Sequence, residues 1–152
     1  MAFISEQDRA TIAQLFDEGL VGPVSLVYFT IPKSLLYVPG REDCETCDDV
    51  QKLLEEIAGI SDKLTLEVHD LRSDREEAER HGVDSVPTLI LHGSGSKGRV
   101  RYLGAPMGSE FPNLIHDMVA VSRGETGLSD ETRQAISAIS DPIHLQVFVT
   151  PT

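Results

Sequence analysis

The chain has 152 residues, 40% of them hydrophobic and 25% charged, the make-up of one soluble globular domain large enough to bury a core. A formal net charge of −12 argues against nucleic acid and anionic membranes, which attract basic surfaces. No run approaches the about 18 apolar residues of a membrane span, and Met1-Ala2-Phe3-Ile4-Ser5-Glu6 lacks the basic-then-apolar order of a signal peptide, so a cytoplasmic setting is expected by default.

Ser5 reads as a helix N-cap, followed by apolar residues at helical spacing, Ile12, Leu15, Phe16 and Leu20, with a stop at Gly19 and Gly22-Pro23. Val24 to Thr30 suits a buried strand. Ile31 to Asp43 carries Pro32, Pro39 and Gly40 and reads as a loop. Val50, Leu53, Leu54 and Ile57 then mark a helix ending near Gly59, with Cys44 at or just before its first turn. Leu64 to His69 alternates as a strand, and Ser73 to His81 is a charged helix closed by Gly82. Val86 to Leu91 is the next strand, Gly93 to Gly98 a turn, and Arg99 to Leu103 its hairpin partner. Phe111, Leu114, Ile115, Met118 and Val119 form the apolar face of a helix that fades near Gly124. The order predicts an α/β fold, a mixed sheet with helices on both faces, over residues 1–124.

Residues 125–152 stand apart as a linker, a helix from Ser129 to Ile139 and an apolar strand from Leu145 to Val149. The segment from Ser129 to Ile136 resembles Ser5 to Ile12, and Gln146 to Thr150 resembles Leu26 to Thr30, as if a second copy of the module began here. An appended helix-strand hairpin is the other reading. Ile143, Leu145, Val147 and Val149 would leave an apolar edge exposed, through which the chain would form a homodimer.

The chemistry lies in Asp43-Cys44-Glu45-Thr46-Cys47, which holds both cysteines of the chain. As a staple the pair is weak, since closing so short a loop stabilises by roughly 2 kcal/mol against about 4.7 for a long one. Reversible oxidation is the better use, and in a reducing compartment such a motif is redox-active or metal-binding more often than structural. A helix N-terminus lowers the pKa of a thiol beside it, while Glu42, Asp43, Glu45, Asp48 and Asp49 oppose a second negative charge. The balance predicts a thiol near neutral pKa and a reducing or isomerising couple, with Cys44 the exposed attacking sulfur and Cys47 the buried resolving one. Zinc would need four ligands, and the five histidines form no paired motif, so no metal and no cofactor is expected.

A strand, a CxxC opening a helix and Val86-Pro87-Thr88 before a hairpin together resemble the thioredoxin fold. Arg101 to Phe111, Val121 to Thr126 and Val147 to Thr152 are similar to the glutaredoxin-like protein disulfide oxidoreductases, tandem thioredoxin-fold proteins. The resemblance implies Cys44 as nucleophile, Cys47 as resolving thiol, and Pro87 as a cis proline facing them, with Val86 and Pro87 receiving an extended substrate strand. It also implies that Thr152 falls just before a second unit's CxxC, so that the chain reads as an amino-terminal fragment. The implied activity is thiol–disulfide exchange on protein disulfides, with a thioredoxin-reductase-like electron donor. The alternatives are a non-catalytic unit that holds substrate or partner, and an N-terminal domain of the alkyl hydroperoxide reductase flavoprotein type.

Overall fold

The computed structural model describes residues 2–33, 43–94 and 100–148. Most of the expected loop Ile31–Asp43, the last four residues of the expected turn Gly93–Gly98 with Arg99, and Val149–Thr152 lie outside the described residues.

Helix α1 (Glu6–Gly19) starts where Ser5 accepts a bond from the Asp8 N–H at 3.1 Å, the N-cap expected from the sequence. Strand β1 (Val24–Thr30) has the expected bounds. Helix α2 (Cys47–Ala58), strand β2 (Leu64–Asp70), helix α3 (Arg75–His81), strands β3 (Thr88–Gly93) and β4 (Val100–Leu103), and helix α4 (Phe111–Arg123) follow. The sheet order is β2-β1-β3-β4. Strand β1 runs parallel to β2, with Val24 opposite Leu64 and Thr30 opposite Asp70, and antiparallel to β3, with Val24 opposite Gly93 and Phe29 opposite Thr88.

Alternation along β1 divides the core. Val24, Leu26 and Tyr28 join the cluster with Ile12 and Phe16 of α1, Val50, Leu54 and Ile57 of α2, and Leu114 and Met118 of α4. Val27 and Phe29 point the other way, to Ala78 of α3, Val83 and Ile90. The expected helices on both faces are therefore present, three against one. Each fully buried aliphatic side chain here contributes about 1.5–3 kcal/mol. Among the described residues no helix is long and apolar enough to cross a membrane.

Two close approaches seat α4. The buried Ser122 hydroxyl accepts the N–H groups of Val21 and Gly22 at 3.0 and 2.9 Å and donates to the Gly22 carbonyl at 2.8 Å. Arg123 donates to the carbonyls of Gly19 and Glu18, so the last turn of α4 also covers the end of α1. At Gly93 the α4 backbone lies against the strand: a Cβ there would overlap the Val121 carbonyl.

The tail departs from expectation in part. Helix α5 (Asp130–Ser137) forms, capped by Ser129. The expected strand from Leu145 does not: residues 141–148 form no strand, and Leu145, Val147 and Phe148 are 84%, 75% and 88% exposed. A strand is held by pairing, and without a partner its N–H and C=O groups are better left to water.

Two outcomes follow. Gly93→Ala should destabilise by about 3 kcal/mol or more, because backbone rather than a movable side chain blocks the methyl group; chemical denaturation would show it. Ending the chain at Gly124 should leave the unfolding temperature within about 2 °C of the full chain, since nothing beyond that point is buried among the described residues. A larger drop in calorimetry would mean that the tail contributes to the core.

Candidate redox site

Cys44 and Cys47 are joined by a disulfide, with Cα atoms 5.4 Å apart and an S–S distance of 2.07 Å. Cys47 is the first residue of α2, and Cys44 lies three residues ahead of it, outside the helix. Cys47 is 0% exposed while Cys44 is half-buried. This asymmetry comes from the helix face: Cys47, Val50 and Leu54 share the side turned to the sheet, and all three are buried. Of the surrounding carboxylates, Asp43, Glu45 and Asp49 are exposed and Asp48 is half-buried; Glu42 lies outside the described residues.

The Val86–Pro87 bond is cis, as the resemblance implied. The two residues do not open β3, as expected, but precede it, and the strand begins at Thr88. Proline has no N–H to give to a ladder, which accounts for the later start. Pro87 is buried and its carbonyl accepts the Gly104 N–H at 2.9 Å, while Val86 packs against the α3-side core. Thr88 pairs with Phe29, near the end of β1 from which the chain continues towards Cys44. Tyr28, whose hydroxyl meets the Cys47 carbonyl, stands opposite Leu89, so the start of α2 and Val86–Pro87 lie towards the same end of the sheet.

Sequence reasoning missed Tyr28. It is wholly buried, and its hydroxyl donates to the Cys47 carbonyl at 2.9 Å. The signal was available: a tyrosine inside a strand buried on both faces must find a partner for its O–H. The histidines are more clustered than expected. His69 stacks on Phe29 at 5.2 Å, His81 lies 5.7 Å from the same ring, and His92 lies 5.6 Å from His81. Burial, then the neighbouring His92, holds the His81 pKa below the ordinary histidine value, with Glu77 opposing. They sit on the α3 side, away from the Tyr28–Cys47 bond, and among the described residues no group of three or more His, Cys, Asp or Glu could hold a metal ion.

Burial pushes the Tyr28 phenol up to about 12, against a pull in the other direction from a Thr30 hydrogen bond and a further push from Asp48. The protonated phenol is the form that the fold favours. Its contribution is complete below the ordinary tyrosine value near 10.0 and is lost as pH rises to about 12. Stability to denaturant should therefore fall by on the order of 2 kcal/mol between pH 10 and 12 from this group alone. Tyr28→Phe should show a shallower fall over that range; an identical profile would mean that the phenol is not the titrating group.

A thioredoxin-domain family model matches residues 37–116, more than half of the chain. A protein disulfide oxidoreductase from Aeropyrum pernix superposes with a TM-score of 0.72 at 26% identity, over 91% of this chain and 56% of that one. The alkylhydroperoxide reductase protein AhpF of Enterococcus faecalis gives a TM-score of 0.70 at 20% identity, over 90% of this chain and 61% of that one, a likeness of fold. Its counterpart by name in the alkyl hydroperoxide reductase of Pseudomonas aeruginosa is 23% identical over 111 residues, 73% of this chain and 19% of that protein. The chain spans about a fifth of the length of the curated relatives it matches. With a mixed four-stranded sheet, helices on both faces and a Cys44–Cys47 disulfide at one end, the chain belongs to the thioredoxin-domain family.

Proposed function

We propose that the chain is a thiol–disulfide oxidoreductase that acts on protein disulfides through the Cys44–Cys47 couple. The observation that carries this reading is the unequal burial of two bonded sulfurs, one half-buried outside the helix and one fully covered. Cys44 is the sulfur that an incoming disulfide can reach, so it is assigned as nucleophile, and Cys47 as the thiol that resolves the mixed disulfide. An extended substrate segment would lie beside Val86 and Pro87, where the missing proline N–H leaves a pairing position open. The substrate disulfide gains two electrons and two protons and the cysteine pair becomes the disulfide. A thioredoxin-reductase-like protein would return the electrons. The exposed Leu145, Val147 and Phe148 support pairing of two copies through the tail.

The likeness to the alkyl hydroperoxide reductase proteins favours a second reading, in which this unit relays electrons towards alkyl hydroperoxide reduction rather than to protein disulfides at large.

Reduction of insulin disulfides by the reduced chain tests the first reading. Cys44→Ser should abolish turnover, and Cys47→Ser should lower it at least about a hundredfold while trapping a mixed disulfide, since the trapped intermediate has no internal thiol to release it. Mass spectrometry would identify the adduct on Cys44. Turnover that survives Cys44→Ser would remove the assignment, and a wild type inert towards insulin but active in peroxide reduction would favour the second reading.

A further inference from the structure

Helix α2 begins without the usual support. Thr46 stands at its N-cap in a helical conformation and its side chain makes no capping bond, a bond ordinarily worth about 1 kcal/mol. The turn that carries Cys47 is instead held from beneath. Tyr28, with 0% exposure, reaches from β1 to the Cys47 carbonyl across 19 positions of sequence. Its neighbours on that face, Leu26, Val50 and Leu54, are fully buried as well, so the ring has little freedom to swing away. The bond ends on a backbone oxygen and touches neither sulfur.

We infer that Tyr28 is a positioning residue for the closing step of the exchange: its tether fixes the first turn of α2 so that the Cys47 sulfur stays within reach of Cys44 after the disulfide has opened. The inference rests on the thiol–disulfide reading above. In the closing step Cys44 is bonded to a substrate sulfur, and Cys47, having given its proton to solvent, attacks the Cys44 sulfur. The Cys44–Cys47 bond forms, the bond from Cys44 to the substrate breaks, and the departing sulfur leaves as a thiolate that takes up a proton. Two electrons pass from the cysteine pair to the substrate. The rate depends on how narrowly Cys47 is confined beside Cys44, an effective-concentration effect. The preceding attack by Cys44 depends on the exposure of that sulfur and not on the tether.

The test is Tyr28→Phe in the full chain. Loosening the first turn of α2 should lower the effective concentration of Cys47 beside Cys44, and with it the equilibrium constant for disulfide closure against glutathione, about tenfold, a rise of about 30 mV in the two-electron potential. Release of thionitrobenzoate from a mixed disulfide on Cys44 should slow about tenfold, whereas alkylation of reduced Cys44 stays within about twofold of wild type. A folded variant that closes and releases at wild-type values overturns the role, even with a lowered unfolding temperature. If the variant does not fold, the wild type decides. By linkage, a tether that favours the disulfide must be held more firmly in it, so the Tyr28 hydroxyl proton should exchange with solvent more slowly in the oxidised than in the reduced protein. Equal exchange rates overturn the inference. A wild type that neither closes against glutathione nor ejects thionitrobenzoate overturns the exchange reading itself, which separates the two failures.

Discussion

Strand β1 is the element on which the rest is built. It is hydrogen-bonded on both edges and covered on both faces, and six of its seven residues are buried. A strand so enclosed can carry polar groups only if each finds a partner within the fold. Tyr28 meets that demand through the Cys47 carbonyl. That bond ties the strand to the first residue of α2, the fully covered one of the two cysteines.

The two faces do different work. Beneath α1, α2 and α4 lies the larger core, which ends at the cysteine pair. Beneath α3 lies a smaller cluster bordered by an aromatic and histidine stack. Arg101 of the edge strand β4 reaches across this second side to donate to the carbonyls of His81 and Gly82, tying the end of α3 to the sheet. The Tyr28–Cys47 bond and the imidazole stack thus lie on opposite faces of one layer.

Most of the architecture was legible because its signals are local. The apolar run from Val24 to Thr30 has no helical reading, and Val50, Leu53, Leu54 and Ile57 repeat as a helix face must; both elements formed as read. The motif of Cys44 and Cys47 was legible as a pair able to close a disulfide, and its place at a helix start followed from the apolar pattern after it. What could not be read was long-range. Nothing near Tyr28 in sequence names Cys47 as its partner, and nothing near Gly93 announces the Val121 carbonyl beside it. The tail failed for a related reason. Alternation from Ile143 to Val149 states a readiness to pair, but pairing needs a second strand, and among the described residues none is offered. Pro87 displaced the start of β3 through its own missing donor, a local effect that the apolar run around it masked.

The bonds of Ser122 have a consequence in time as well as in space. They join α4 to the turn before β1 across 100 and 101 positions of sequence, and those of Arg123 span 104 and 105. Contacts so distant along the chain are slow to form and come late. On the ribosome, where a chain emerges from its first residue onward, α1 and β1 are made early but cannot be latched until the last turn of α4 has appeared. The cysteine-bearing turn is therefore open to the oxidants and thiols of its surroundings until the end of α4 has emerged.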